Sequence, residues 1–401
     1  MGIGNGGLSA DERRDLFSNF ARDLDARQLE RVYQSLGSES RQGELLDAIS
    51  RHSSDAVKSD LVARLADQTT DRPYDFNAGW FSSRSNRWDS DAVAVGQLLA
   101  SMTSATTFRT TLAALNDPQL EAVMSAGIRE TATTYYMTNG VPSTSFDTAG
   151  LTALIETTAR LGSTVDRARV FELASRQIDA VRESDSLLSP NLSADRHAGE
   201  IADALSTLLD SNTNGIVTAL ERNDALPNTR AGNGMSSYMA ELVRQGDIEQ
   251  IQAIIARLQI GNSLPANGDA VEFLSRFTVD SQGARNYQNA SNLGYIVGSV
   301  REGIQAIESD AQQQADMLKT IFGSALGLGS VFIPSSQTFV KAAAALTRSL
   351  SSDVIQGISD DLVSGDLALA DAIEALAVPR EIGSSDVTNS IDSAIEAVIR
   401  N

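Results

Sequence analysis

Twelve consecutive residues, 210–221, have the residue types and spacing of a calcium-binding EF-hand loop. That loop requires oxygen ligands at positions 1, 3 and 5, a glycine at 6, a backbone carbonyl at 7 and a bidentate glutamate at 12. We therefore predict a calcium site whose ligands would be Asp210, Asn212, Asn214, the carbonyl of Ile216, Thr218 at position 9, and Glu221.

The same residues allow a simpler interpretation. Asn-Thr-Asn-Gly at 212–215 is a strong turn sequence, because Asn and Gly tolerate positive φ. Only Asp210 and Glu221 carry charge, and a low ligand charge implies weak binding. Two hypotheses stay open: a single weak structural calcium site, or a polar turn that caps the following helix.

The elements that would position this loop are predicted to be helices. Apolar residues recur at three- and four-residue spacing, as in Leu45, Leu46 and Ile49, and few segments alternate. Ser9 and Asn116 each precede such a periodic segment, in the position of a helix N-cap. The fold class that follows is all-α, a multi-helix bundle.

Two short patterns recur along the chain and suggest degenerate helical repeats. The first begins at Asp25, Asn116 and Asp247, and the second begins at Val95, Leu205 and Leu293. Aligning the second pattern places four residues without ligand character opposite the calcium pattern: Ala100, Met102, Ser104 and Thr111. If that alignment holds, the fold requires a turn at this place and does not require an ion.

Loop-rich sequence divides the chain into blocks. We predict a flexible lead-in at 1–8 and helical blocks at 9–110, at 111–230 with the EF-hand-like loop, and at 231–401.

The last block contains an uncharged segment, 320–340, which is long enough to span a bilayer. Its Gly, Ser and Pro content favours a buried core helix, and a membrane-active segment is the alternative.

Composition excludes several functions. The chain has 52 acidic and 32 basic residues, a net charge of −20, which repels phosphate backbones, so nucleic acid is not expected as a partner. The absence of cysteine excludes disulfides, thiolate catalysis and cysteine-based metal sites.

Both tryptophans, Trp80 and Trp88, lie in one loop with Arg84 and Arg87. That loop is either a partner-binding anchor or a cover that buries both rings.

Three segments, 165–174, 208–221 and 292–298, resemble helical regions of secreted bacterial effectors and polymorphic toxins. The resemblance implies an exported or injected protein whose helices serve delivery or interaction. It carries over no site residues. The start Met1-Gly2-Ile3-Gly4 has no basic region and no apolar run, so we expect export without a classical signal peptide, with a cytoplasmic location as the alternative.

Three functional hypotheses follow. The first is a non-enzymatic effector or toxin-type protein that acts by protein contacts or by membrane disturbance through 320–340. The second is a structural helical-repeat scaffold with a stabilising calcium ion. The third is an enzyme that uses carboxylates, which are plentiful in the chain although no pair is distinguished by its sequence setting.

Overall fold

The computed structural model describes residues 8–69, 90–135, 142–183, 194–223, 234–258 and 288–308, together with 313, 314, 317 and 321. Within these residues the chain forms fourteen helices, which confirms the all-α, multi-helix bundle, and one short β-hairpin. The helices are α1 (Ala10–Asp23), α2 (Ala26–Ser35), α3 (Glu39–His52), α4 (Asp55–Ala66), α5 (Ser90–Ala100), α6 (Ala105–Ala114), α7 (Asp117–Ala126), α8 (Ala149–Leu161), α9 (Thr164–Glu183), α10 (Ala194–Asp210), α11 (Thr213–Glu221), α12 (Gly234–Gln245), α13 (Ile248–Arg257) and α14 (Gln288–Ile307).

Side-chain caps set the starts of these helices. Ser9, Asp25 and Asn116 each accept a hydrogen bond from the backbone N–H three residues later. The side chain of the Glu or Gln at that third position accepts a hydrogen bond from the backbone N–H of the cap residue, which completes a capping box. Such a cap contributes about 1 kcal/mol to helix stability. The predicted caps at Ser9 and Asn116 are confirmed.

The chain divides into two compact units, Met1–Leu208 and Leu209–Asn401. This division does not coincide with the predicted block boundaries at 110 and 230. In the first unit, helices that follow one another in sequence (α1–α2, α3–α4, α5–α6 and α8–α9, here called pairs) contribute one helix each to two layers. One layer contains α1, α3, α5 and α8, each packed on the one before, and the other contains α2, α4, α6 and α9. Helix α7 packs against α5, α8 and α9.

Polar contacts between successive pairs recur at a nearly constant sequence distance in the first unit. Thr111 Oγ1 donates to Ser59 Oγ, Arg109 Nε to the Leu161 carbonyl, and Ser125 Oγ to Gln177 Oε1. Each of these contacts joins residues 52 apart in sequence. Other contacts between these helices join residues 43 to 58 apart, so the degenerate helical repeats stay a prediction. The first recurring sequence pattern falls on α2, α7 and α13, which pack on different neighbours.

A β-hairpin precedes α8 in the first unit, where the sequence predicted no strand. Strand β1 (Arg129–Tyr135) pairs antiparallel with β2 (Pro142–Asp147), and the register shifts between Glu130 and Ala132. Threonine and tyrosine are frequent in β1, and Asn139-Gly140 follows it in sequence, which is a strong hairpin signal. These signals could have predicted the hairpin from the sequence.

In helix α12 of the second unit, Gly234 to Leu242 are all buried. It crosses α14 at Gly303, where a Cβ would come within 2.7 Å of the Ala240 nitrogen and 2.8 Å of the Ser236 carbonyl oxygen. A side chain larger than hydrogen would force the two helices apart. Helix α13 packs on α12 and α11, and α11 also packs on α14.

Candidate binding groove

An open groove of about 440 Å³ lies in the first unit beside the end of the hairpin. It runs between the first half of α8 and helix α10. Its lining is strongly acidic and rich in threonine, and consists of Asp147, Thr148, Ala149, Thr152, Glu156, Glu200, Asp203, Ala204 and Thr207. No sequence pattern predicted a groove at these residues.

Helical periodicity explains how α10 supplies its side of the groove. Glu200, Asp203 and Thr207 are spaced by three and four residues, so they lie on one face of the helix and are exposed. The opposite face carries Ile201, Leu205 and Leu208, which are fully buried. The same amphipathic pattern that fixes α10 in the core therefore presents its carboxylates to the groove.

Glu200 connects the two sides of the groove. Its Oε2 accepts a hydrogen bond of 2.5 Å from Thr148 Oγ1, at the start of α8, and lies 3.0 Å from Nδ1 of His197. His197, the fourth residue of α10, is only 2% exposed, so it contacts Glu200 from the buried side of the helix. Burial raises the pKa of Glu200, but the hydrogen bonds from Thr148 and His197 outweigh burial and hold that pKa below its ordinary value.

The arrangement suits binding of a cation better than acid–base chemistry. Glu200 accepts from both Thr148 and His197, so neither hydroxyl nor imidazole is set up as a nucleophile and base pair. Asp147 accepts from the Ala149 backbone N–H at 2.9 Å. Because its pKa is lowered, Glu200 is ionised at neutral pH.

The predicted calcium residues lie in the second unit and adopt a helical arrangement. Asp210 is the last residue of α10, and α11 already begins at Thr213. Asn212 is the N-cap of α11, and its Oδ1 accepts from the Gly215 N–H at 3.3 Å. Ile216 is fully buried within α11. This arrangement agrees with the alternative of a polar turn that caps the following helix.

The remaining predicted ligands face helix α14 and contact its amides. Asn292 Nδ2 donates to Asn214 Oδ1 at 3.0 Å and to Thr218 Oγ1 at 2.9 Å. Gln288 Nε2 donates to Glu221 Oε2 at 3.0 Å. Since these three residues are four and three apart on α11, their common direction follows from the helical period. Asn292 is fully buried between the helices.

Asp210 points to another partner, Arg257 at the end of α13, with which it forms an ion pair. The structure thus brings Asn214, Thr218 and Glu221 to one helix face and turns Asp210 towards α13. Among the described residues, no group of three or more His, Asp or Glu side chains is placed to hold a metal ion. Calcium binding by residues 210–221 stays a prediction, and it would require release of these hydrogen bonds.

Two other predicted features lie outside the described residues: the uncharged segment 320–340, apart from the buried Ile321, and the tryptophan-containing loop around Trp80 and Trp88. In the part of the chain that the structure describes, no helix is both long enough and apolar enough to cross a membrane.

Comparison with family models, with curated proteins and with solved structures found no match to this chain. We therefore infer function from the residues and contacts of the chain itself. Of these, the acidic groove is the feature with the most definite chemical preference.

Proposed function

We propose that the protein acts through contacts with another protein, and that the acidic groove binds a Lys- or Arg-rich segment of that partner. The observation that carries this proposal is the placement of Asp147, Glu156, Glu200 and Asp203 around one open groove on three different elements. Because the strand end, α8 and α10 each contribute, the charge is concentrated by the fold and not by a run of acidic sequence.

The groove offers both parts of peptide recognition. Carboxylates pair with ammonium and guanidinium groups, and a guanidinium can bind a carboxylate through two parallel hydrogen bonds. Thr152 and Thr207 add hydroxyl groups, which can hydrogen-bond the peptide backbone of a bound segment. The net charge of −20 further favours encounter with a basic partner and makes its association rate depend on ionic strength.

The architecture of the first unit supports the same function. Stacked helix pairs present extended surfaces, and proteins of this kind commonly use such surfaces for protein binding. The groove lies beside α8, which belongs to the layer of α1, α3, α5 and α8. The resemblance of the sequence to secreted bacterial effectors supports a partner outside the producing cell, and a cytoplasmic partner is the alternative.

A charge-reversal experiment tests the groove. The double variant Glu156→Lys with Asp203→Lys changes the groove, whereas Asp15→Lys with Asp60→Lys makes the same charge change on exposed residues of α1 and α4. We expect the groove variant to weaken binding of a labelled Lys/Arg-rich peptide by about tenfold or more, measured by fluorescence anisotropy at two salt concentrations. The control variant should stay within about twofold of wild type.

Equal losses in the two variants would show that only net charge matters and would remove the groove from the proposal. Circular dichroism of both variants checks that the helices are retained. Glu156 and Asp203 are exposed, so we expect neither substitution to unfold the protein.

A further inference from the structure

The acidic groove carries carboxylates at both of its ends. At the first end, Glu200 accepts from Thr148 Oγ1 at 2.5 Å, and Asp147 directly precedes Thr148. These two carboxylates therefore lie at the start of α8, which Thr148 precedes. At the second end, Glu156 follows Thr148 by eight residues, which corresponds to about 12 Å along the helix. Cations bound at the two ends would be separated by about the same distance.

Asp147 is the carboxylate available to a cation at the first end. It accepts a hydrogen bond through Oδ1 from the Ala149 N–H, and it forms no ion pair with another residue that the structure describes. Glu200 is already engaged, because its Oε2 accepts from Thr148 and its Oε1 lies 3.7 Å from Arg196 Nε. The charge of Glu200 adds to the negative potential at this end, and Asp147 provides the ion pair.

Small or polar residues lie between the two ends. Thr152 lies about one helical turn beyond Thr148 on α8. Ala204 lies about one turn beyond Glu200 on α10, and Asp203 beside it adds negative charge nearer to the first end. Since the lining residues follow the Thr148–Glu200 contact on both helices, α8 and α10 both leave that contact along the groove. The lining between the ends leaves room for a side chain that points inward.

The dimensions of the groove favour an extended chain over a helix. Its volume of about 440 Å³, spread over a length of about 12 Å, gives a cross-section of about 40 Å². An α-helix about 10 Å across has a cross-section of about 80 Å². The groove can therefore enclose an extended chain, whereas a helix would place only one side in it.

The period of an extended chain matches the separation of the two ends. Its side chains point to the same side at every second residue, with a rise of about 3.3 Å per residue. Residues four positions apart thus point the same way and are about 13 Å apart. On a helix, about eight positions would be needed to cover 12 Å.

We propose that the partner segment is extended and has Lys or Arg at two positions four residues apart, an inference that rests on the proposed function of the groove. One cation pairs with Asp147 and the other with Glu156. The residue midway between the two cations faces Thr152 and Ala204, where a side chain fits.

Two fluorescent peptides of identical composition test the spacing. Each has two arginines in a chain of glycine, serine and proline, which does not form a helix. The arginines are four positions apart in one peptide and adjacent in the other. Adjacent residues of an extended chain point to opposite sides, so only one of those arginines can face the groove. We expect the first peptide to bind wild type about fivefold more tightly, as one additional solvent-accessible ion pair allows.

The variant Glu156→Gln assigns the second arginine to its partner. It removes the charge at the second end with little change in size, so the preference for the four-residue spacing should disappear. Asp60→Asn, on an exposed residue of α4, makes the same charge change away from the groove and should retain the fivefold preference. Fluorescence anisotropy measures all four affinities. An unchanged preference in Glu156→Gln would contradict the proposal.

A helical peptide provides the strongest alternative. An alanine-based peptide with arginines eight positions apart should bind wild type more weakly than the extended peptide. Tighter binding of the helical peptide, or equal binding of the two extended isomers, would overturn the proposed spacing. The groove itself would still be supported if Glu156→Lys with Asp203→Lys weakened binding of these peptides. If none of the peptides bound wild type, the proposed function would fail together with the spacing.

Discussion

Two turns, one between α5 and α6 and one between α10 and α11, are held in different ways. The helices before them end at Ala100 and Asp210, which correspond to each other in the alignment of the second recurring sequence pattern. The first turn has four residues, 101–104, and receives Lys58 and Asp55 from α4. The second has two residues, 211–212, and its ion pair joins Asp210 to Arg257.

Burial is the larger difference between the two turns. The side chains of Lys58 and Asp55 are 4% and 12% exposed, whereas those of Arg257 and Asp210 are 40% and 38% exposed. When one partner of a buried ion pair is deleted, the other charge stays buried without compensation, and the free energy of unfolding falls. Deleting one partner of a solvated pair has little effect, because water solvates the remaining charge. We therefore expect the stability of the first turn to depend on its ion pair much more than the stability of the second turn does.

Deleting the buried cation should break the first turn most severely. Lys58→Ala removes the donor to the Ser101 carbonyl and leaves Asp55 without its neighbouring charge, so we expect a loss of about 3 kcal/mol in the free energy of unfolding. Urea denaturation measures this loss. Arg14→Ala, on exposed α1, should change the free energy by less than about 0.5 kcal/mol. A Lys58 effect as small as that of Arg14 would remove the contrast between the turns.

The second turn should depend on its buried amide more than on its ion pair. Asn292→Leu leaves Asn214 and Thr218 without their shared donor in a buried interface, and we expect a cost of about 2 kcal/mol. Denaturant unfolding monitored by circular dichroism reports this cost. A neutral outcome would mean that leucine packs there as well as the amide does, and that the hydrogen bonds contribute little.

Acid should weaken the first turn. Burial raises the pKa of Asp55, but hydrogen bonds from Ser104 and Thr103 and the charge of Lys58 outweigh it, so that its folded pKa is below the ordinary value. A lowered folded pKa means that the stability is complete above the unfolded pKa, near 4, and is lost as pH falls through the folded pKa. Asp55→Asn should therefore flatten the stability curve below about pH 4, measured by thermal melts. An unchanged acid slope contradicts this account.

Calcium tests whether the second turn has a role that the first lacks. The predicted site requires that millimolar calcium raise the melting temperature relative to chelator, by an amount that corresponds to about 1 kcal/mol for binding in the submillimolar to millimolar range. Glu221→Gln should abolish that rise, and Asp195→Asn, an exposed carboxylate of α10, should retain it. Identical melting temperatures with and without calcium would leave the polar turn as the function of residues 210–221.

The exposed pair should have the smallest effect of all. A double-mutant cycle with Asp210→Ala and Arg257→Ala should give a coupling energy of about 0.5 kcal/mol, because both side chains remain solvated. A coupling above about 2 kcal/mol would show that the second turn is held like the first, and the comparison would fail.

Local patterns in the sequence predicted local structure well. Caps such as Asn116 and the helical period are written within four or five residues, so the all-α class and many helix starts could be predicted. The hairpin was not predicted, because the Asn139-Gly140 turn signal and the Ser and Thr residues of β2 are also typical of a loop. The groove could not be predicted, since Thr148 and Glu200 meet only after α8 and α10 are positioned, 52 residues apart in sequence. Residues 210–221 do match a sequence pattern, but that pattern has two interpretations: the same residue types suit calcium ligands and a capped helix.

The contacts that close helix ends in the first unit have a consequence for how the chain opens. The carbonyls at the ends of α5 and α8 bind Thr157 and Arg109 from neighbouring pairs, not from their own helices. The last turn of each helix is therefore complete only while its neighbour is docked. Amide hydrogen exchange at these helix ends should report undocking of adjacent pairs, so that loosening at one end of the stack spreads pair by pair along it.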